Sequence, residues 1–340
     1  MDKLKKLCVV AIILLNVFLI ITLIFLFNKK PIEKNEQYPF HSAVDTSFKK
    51  YILDANMPEA IKKLKYGLDE LSIKHVDFAI QTMINLPSYK LENFFANKKL
   101  HDNYLPKYLK AEVRKIRQAK NMYRGKFQFY SEWAYYKHGL ILVPQSVRDY
   151  IRNTAFIDLG CYVGDSATVL SEFSPDIIYS FDISEKNLKL YEENTKDLSV
   201  PHKAFRLALS DTKKVINFVD EGTGSTNIFN GKNDSKTVSV EVDTLDDFVN
   251  KIGYKGQIGY IKADIEGDEP NMLKGAVKTI KKYRPVLYIS LYHNPESFFE
   301  IKPFLESLNV GYKFILRFMA FRQRHPLAEF SLVAYPQELE

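Results

Sequence analysis

Phe156-Ile157-Asp158-Leu159-Gly160-Cys161-Tyr162-Val163-Gly164-Asp165-Ser166 is an apolar run that ends in an acid and two glycines before a helical pattern begins. In a doubly wound α/β fold, ligands lie across the carboxyl ends of the strands, and glycine lets the backbone turn sharply beneath them. The glycines are spaced G-x-x-x-G rather than G-x-G-x-x-G, so the close approach that a pyrophosphate needs is missing and a small charged nucleoside fits better. Ile177-Ile178-Tyr179-Ser180-Phe181 reads as the next strand and delivers Asp182, at a spacing where an acid can accept both hydroxyls of a ribose. The competing explanation of the loop is a plain strand-to-helix turn. Loop and acid together point to S-adenosylmethionine as the cofactor.

Working outward, the chain from Ile151 onward alternates strands with helices, which argues a mostly parallel sheet covered on both faces. Strands are expected near 155–159, 177–181, 204–208, 214–219, 238–242, 258–263, 286–291, 312–317 and 330–334, and helices at 166–173, 185–194, 244–251, 269–282 and 296–308. The last two strands have only Met319 to Glu329 between them, so the sheet should end in a hairpin with an antiparallel strand. Toward the N-terminus, Ile61, Leu64, Leu68 and Leu71 form one helical stripe and Val76, Ile80 and Met83 another, which Pro87 stops. The expected architecture is a Rossmann-like α/β domain at 151–340 preceded by a mainly helical region at 55–150.

Leu7 to Phe27 is free of charge and, as a helix, spans about 31 Å, the thickness of a bilayer core. The bulky and then basic sequence that follows lacks the small residues of a cleavage site, so 7–27 reads as an uncleaved anchor. A short basic tail occupies 1–6 and a polar stalk 28–54. Lysines flank the anchor on both sides, so the positive-inside rule leaves the orientation open. The two cysteines, Cys8 in the anchor and Cys161 in the glycine loop, do not make a plausible disulfide, which leans toward the cytosolic side.

The net charge of +7 is concentrated between Lys107 and Lys126, where eight basic residues face one acid, Glu112. Leu109, Val113, Ile116 and Tyr123 recur at helical spacing, so these charges fall on the outer face of an amphipathic helix. A solvated face is the simplest explanation, and contact with anionic lipid headgroups is the alternative. A nucleic-acid partner is disfavoured, because the chain has neither an N/D-P-P-Y/F tetrad nor a Pro-Cys pair to serve base methylation.

The second dense motif is Tyr260-Ile261-Lys262-Ala263-Asp264-Ile265-Glu266-Gly267-Asp268-Glu269, which places Asp264 and Glu266 where a strand ends and a helix starts. Asp268 and Glu269 read as first-turn helix charges. The following strand ends at Tyr292-His293, so His293 should emerge on the same sheet edge as Asp264. An imidazole oriented by a neighbouring acid can deprotonate a hydroxyl as it attacks a methyl group, which makes Asp264, Glu266 and His293 the catalytic candidates. The same three could hold Mg²⁺ or Mn²⁺, but their spacing matches no recognisable ligand pattern and no metal is predicted. Gly222 to Asn227, with Ser225 and Thr226, reads as a loop over the substrate or as a plain hairpin turn.

From about Thr154 to Pro336 the chain resembles the FkbM-like family of S-adenosylmethionine-dependent methyltransferases. The resemblance rests on the glycine loop, on Phe181-Asp182 with Asn194, on Ala208-Leu209-Ser210-Asp211, and on Val242-Asp243-Thr244-Leu245-Asp246-Asp247. Its most specific part is Ile261 to Glu269, followed by Leu273-Lys274-Gly275-Ala276, Arg284-Pro285 and the closing Tyr312 to Phe318. It implies O-methylation, commonly of a sugar or polyketide hydroxyl. Asp158, Gly160, Gly164 and Asp182 would hold the cofactor, Ala208 and Leu209 would lie near the adenine, and Arg317 would meet the substrate. The family usually has Glu where Asp182 stands, and often His where this chain has Phe318.

The resulting expectation is a single-pass, membrane-anchored O-methyltransferase whose acceptor is a hydroxyl on a glycan, glycolipid or related small molecule. Two rivals stand beside it: a membrane-tethered binding protein with a degenerate methyltransferase domain, and a methyltransferase for protein or small metabolites.

Overall fold

A computed structural model of the protein describes residues 47–48, 51, 57–85, 106–107, 110, 136–220, 222, 237–319, 327 and 329–340. The expected anchor at 7–27, the stalk up to residue 46 and most of the basic helix lie outside these residues. Among the described residues, no helix is long and apolar enough to cross a membrane.

The run Ala155–Leu159 is strand β1, buried along its whole length as its continuous apolar character requires. The other strands are β2 (Ile177–Asp182), β3 (His202–Arg206), β4 (Ala208–Leu209), β5 (Lys214–Val219), β6 (Thr237–Asp243), β7 (Ile258–Ala263), β8 (Val286–Ser290), β9 (Tyr312–Phe318) and β10 (Phe330–Pro336). The helices are α1 (Met57–Lys65), α2 (Glu70–Asn85), α3 (Gln145–Ile151), α4 (Asp165–Leu170), α5 (Glu185–Thr195), α6 (Leu245–Ile252), α7 (Glu269–Lys274), α8 (Val277–Tyr283) and α9 (Pro295–Ser307).

Seven of the described strands form one sheet in the order β3-β2-β1-β7-β8-β10-β9. Neighbours run parallel except at β10, which is antiparallel to both β8 and β9 and makes the expected closing hairpin. The strand order reverses between β1 and β7, and a ligand crevice belongs at that switch point. Alternation along the strands divides the core. Ile157, Leu159, Ile261 and Ala263 face one apolar layer with α1, α2 and α9, while Phe156 and Tyr260 face another with Leu140, Val147 and Tyr191.

The structure differs from the sequence-based expectation in several places. β4, β5 and β6 leave the main sheet and pair as a second one in the order β4-β6-β5, with β4 only two residues long. The expected helix 269–282 is two helices, because Asp246 of α6 accepts the N–H groups of Lys278 and Thr279 at 3.0 and 2.7 Å and starts α8 afresh. The stripe from Ile61 to Leu71 is also broken. Asp69 accepts the N–H groups of Leu71 and Ser72, each at 2.9 Å, and begins α2 as a new helix. Helix α3 ends at residue 151, and its Val147 and Ile151 pack with Phe156 and Tyr260.

β9 is the outer strand of the sheet, and an outer strand presents unpaired backbone groups. Here α2 covers them. The N–H of Leu316 donates to Ser72 Oγ at 3.0 Å, and the N–H of Phe318 to His75 Nδ1 at 3.1 Å.

Candidate functional site

The glycine loop after β1 and the acidic loop after β7 meet at the switch point. Asp264 N–H donates to the Leu159 carbonyl at 3.1 Å, so the ladder between the two strands continues into the loops. Gly160 has φ +74°, and a Cβ there would lie 1.9 Å from the Asp264 carbonyl oxygen. Gly164 has φ +88°, and its Cβ would lie 2.6 Å from Thr195 Cγ2 of α5. Both glycines are therefore required by contacts inside the protein as well as by the turn itself.

The end of β2 supports this loop from the other side. The Phe181 carbonyl accepts from Gly160 and Cys161 at 2.9 and 3.0 Å, and Asn194 donates to the Val163 carbonyl at 2.8 Å. Asp182 takes one backbone N–H on each carboxylate oxygen, from Tyr162 at 3.1 Å and from Ser184 at 2.8 Å. Oδ1 also accepts from Asn187 at 3.4 Å, Oδ2 keeps a further lone pair, and the residue is half-buried rather than sealed, so its carboxylate can still accept from a ribose hydroxyl. Burial pushes Asp182 and Asp165 each up to about 6. The buried Cys161 thiol is also driven upward, which rules it out as a nucleophile. Ala208 and Leu209 come two and three residues after Arg206, the register partner of Asp182, but pair in the second sheet, with Leu209 turned into the core.

Asp158 points from β1 to the sheet face that Lys262 occupies on β7, directly opposite in register. Their charges lie 3.2 Å apart and both side chains are almost fully buried. Ser166 donates to Asp158 at 2.6 Å, and Lys262 donates to the Gly160 carbonyl at 2.6 Å. Asp158 thus supports the loop through Lys262 and Ser166. The sequence reading missed Lys262, although an isolated charge one residue before the end of each of two apolar strands was a visible sign of such a pair.

The acidic loop collects the three catalytic candidates. His293 Nε2 lies 3.5 Å from Asp264 and 3.8 Å from Glu266. Tyr292 donates to Asp264 at 3.2 Å, and Glu266 adopts a left-handed backbone with φ +57°. Asn294 begins α9 by accepting from Ser297 N–H at 2.7 Å and donates to the Gly267 carbonyl at 2.8 Å, which ties the two loops together.

Glu269, expected to be a helix-end charge, is fully buried. Its carboxylate accepts from His293 Nδ1 and from Ile265 N–H, each at 2.9 Å, and from Ser297 at 3.3 Å. This bears on the role expected for His293. Burial alone would lower the imidazole, but Glu269, Asp264 and Glu266 outweigh it and push it up to about 10, too high for a base at neutral pH. For Asp264, burial acts upward, yet His293 and Lys262 hold its carboxyl below the ordinary range.

The remaining substrate candidates do not join this site. Arg317 is buried on β9 and donates to Ser72, to the Leu316 carbonyl at 2.9 Å and to Asp69 at 2.9 Å, so its guanidinium is used in fastening α2 to the sheet. Ser225 and Thr226 lie outside the described residues.

With this geometry in view, residues 152–314 match the family described as the methyltransferase FkbM domain. This segment is an FkbM methyltransferase domain. Among solved structures, methyltransferase FkbM from Methylobacillus flagellatus KT is similar with a TM-score of 0.53 and 16% identity, over 85% of this chain and 60% of that one. At that identity the similarity concerns the fold alone, and the chain spans only three fifths of the length of that relative. The SMU.1697c protein of Streptococcus mutans in complex with SAH has a TM-score of 0.35 and 13% identity, over 58% of this chain and 96% of that one. An rRNA methylase from Streptococcus thermophilus has a TM-score of 0.33 and 11% identity, over 56% and 92%. No curated protein matches the sequence. β10, α1 and the helix α2 that covers the sheet edge lie outside the FkbM domain match.

Proposed function

We propose that the protein is an S-adenosylmethionine-dependent O-methyltransferase, anchored by residues 7–27 with its FkbM domain on the cytosolic side, and that its acceptor is a hydroxyl on a membrane-associated glycan or glycolipid. The observation that carries this reading is the junction of the two loops. The Leu159–Asp264 hydrogen bond sets the hydroxyl-accepting Asp182 edge and the acidic Asp264 edge side by side. S-adenosylmethionine supplies an electrophilic methyl group on a sulfonium, so the acceptor needs positioning and somewhere for its proton to go. Asp182 would hold the ribose, with Gly160 and Gly164 shaping the floor beneath it. Two neighbouring acids, Asp165 and Asp182, suit the positive charges of the cofactor, while Asp158 is paired with Lys262.

On the acceptor side, the carboxylates of Asp264 and Glu266 face the hydroxyl and receive its proton. His293 and Glu269 hold these acids in place rather than acting as the base. The apolar stretch from Leu7 to Phe27 and the basic stretch from Lys107 to Lys126 support an acceptor at a membrane surface.

The test is calorimetric titration of the full chain with S-adenosylmethionine and S-adenosylhomocysteine, followed by product mass after incubation with glycan, peptide and metabolite pools. Saturable binding that Asp182→Ala abolishes, with a gain of one methyl in the glycan pool, is the expected result. A folded chain that binds neither nucleoside would reduce the protein to a tethered binding domain.

A further inference from the structure

Three carboxylates surround His293, and they are unequally placed. Glu269 takes the Nδ1 side at 2.9 Å and has its own oxygens occupied by Ile265 N–H and Ser297. A carboxylate can only accept in that contact, so Nδ1 carries the proton. The opposite nitrogen, Nε2, is buried and makes no hydrogen bond, although the side chain as a whole is only 7% exposed. It points between Asp264 Oδ1 at 3.5 Å and Glu266 Oε2 at 3.8 Å.

Both gaps exceed the roughly 2.7–3.2 Å of an N–H···O bond, so a proton on Nε2 is poorly shared with either acid. A bare nitrogen lone pair facing two carboxylates is repulsive. Neighbouring donor atoms around a hard divalent ion, with bonds of about 2.1–2.4 Å, lie about 3.0–3.4 Å apart. The two imidazole-to-carboxylate gaps lie just outside this range, and the Asp264 and Glu266 side chains are 28% and 30% exposed. Charge argues the same way: Asp264, Glu266 and Glu269 all lie against the one imidazole, at 3.5, 3.8 and 2.9 Å.

We propose that Asp264, Glu266 and Nε2 of His293 bind a hard divalent cation of the Mg²⁺ or Mn²⁺ kind, with Glu269 as the outer carboxylate that fixes the imidazole. Two carboxylates with one imidazole suit such ions, and a ligating histidine ordinarily gives its other N–H to a carboxylate, as His293 does. The inference rests on the reading of this edge as the acceptor side, where the cation would bind and acidify the acceptor hydroxyl and the carboxylate oxygens not on the ion would take its proton.

The experiment is titration of the chelator-treated full chain with Mn²⁺, following the loss of the free-ion signal by electron paramagnetic resonance. S-adenosylhomocysteine calorimetry is run on the same samples. One Mn²⁺ per chain, displaced by excess Mg²⁺ and weakened at least tenfold in Glu266→Gln and in His293→Gln, is the expected result. Glu269→Gln should weaken it about tenfold or more through the imidazole. Absence of binding, or binding that Glu266→Gln leaves unchanged, overturns the site. If circular dichroism shows that His293→Gln does not fold, the loop variant Glu266→Gln decides. Nucleoside binding without Mn²⁺ binding defeats the cation site alone, whereas Mn²⁺ binding without nucleoside binding defeats the methyltransferase reading alone.

Discussion

The two sides of the switch point use acids in opposite ways. Beside the glycine loop, Asp165 and Asp182 are pushed up to about 6, burial being the main cause. Beside the β7 loop, Asp264 is also buried, yet it is held below its ordinary range. The location of positive charge makes the difference. His293 stands next to Asp264, whereas Lys262 is spent on Asp158 and offsets burial at Asp165 and Asp182 only in part. One residue type therefore gives acids that take up a proton near pH 6 on one side and acids that stay ionised well below that on the other.

The most damaging way to disturb this contrast is to remove its shared cation. Lys262→Met leaves Asp158 buried without a countercharge and should cost about 3–5 kcal/mol in urea denaturation, with part of the loss recovered by adding Asp158→Asn. Gly160→Ala should come next, at about 3 kcal/mol, because the new methyl meets the backbone of Asp264 and the position needs a left-handed φ. Its further signature is that nucleoside and Mn²⁺ affinities fall together, since the two loops share that contact.

A smaller effect is a pH dependence. The raised Asp182 carboxyl holds its proton more tightly in the folded chain than in the unfolded one, whose ordinary value is 3.8. Its contribution to stability is therefore greatest below about 4, falls as pH rises to about 6 and is level above that. Nucleoside binding needs the ionised acid and runs the other way. It should be constant above about 6 and weaken toward tenfold per unit below it in calorimetry, with Asp182→Asn weaker throughout and without that slope. Smallest is Arg317→Ala, which should cost about 1–2 kcal/mol through lost hydrogen bonds to α2 while leaving nucleoside affinity and turnover unchanged. A rise in KM in that variant would return Arg317 to the substrate.

Most of the main sheet and both loops at its switch point were legible in the sequence, because strands such as β1, β2, β7 and β8 are short apolar runs closed by an acid or a turn. β4 was not, since two residues carry no periodicity and its partner β6 lies more than thirty positions away in the chain. Asp264, Glu266 and His293 were found by their positions after strands, and the structure brings them together. Glu269 was missed because an acid in the first turn of a helix looks the same whether it serves the helix dipole or a buried histidine. Arg317 misled for a related reason: its partners Asp69 and Ser72 are about 245 residues away, and no local pattern records them.

The helix that meets Arg317 also bears on where the protein can be cut. A fragment beginning at residue 136 keeps the whole FkbM domain match but sheds α2, so the amides of Leu316 and Phe318 lose Ser72 and His75. Such a fragment would carry a raw, unpaired border on its sheet, and sedimentation should find it joined border to border with its copies while the intact chain is not. The helical segment ahead of the FkbM domain is then its selvedge, the finished margin that keeps the weave from picking up foreign thread.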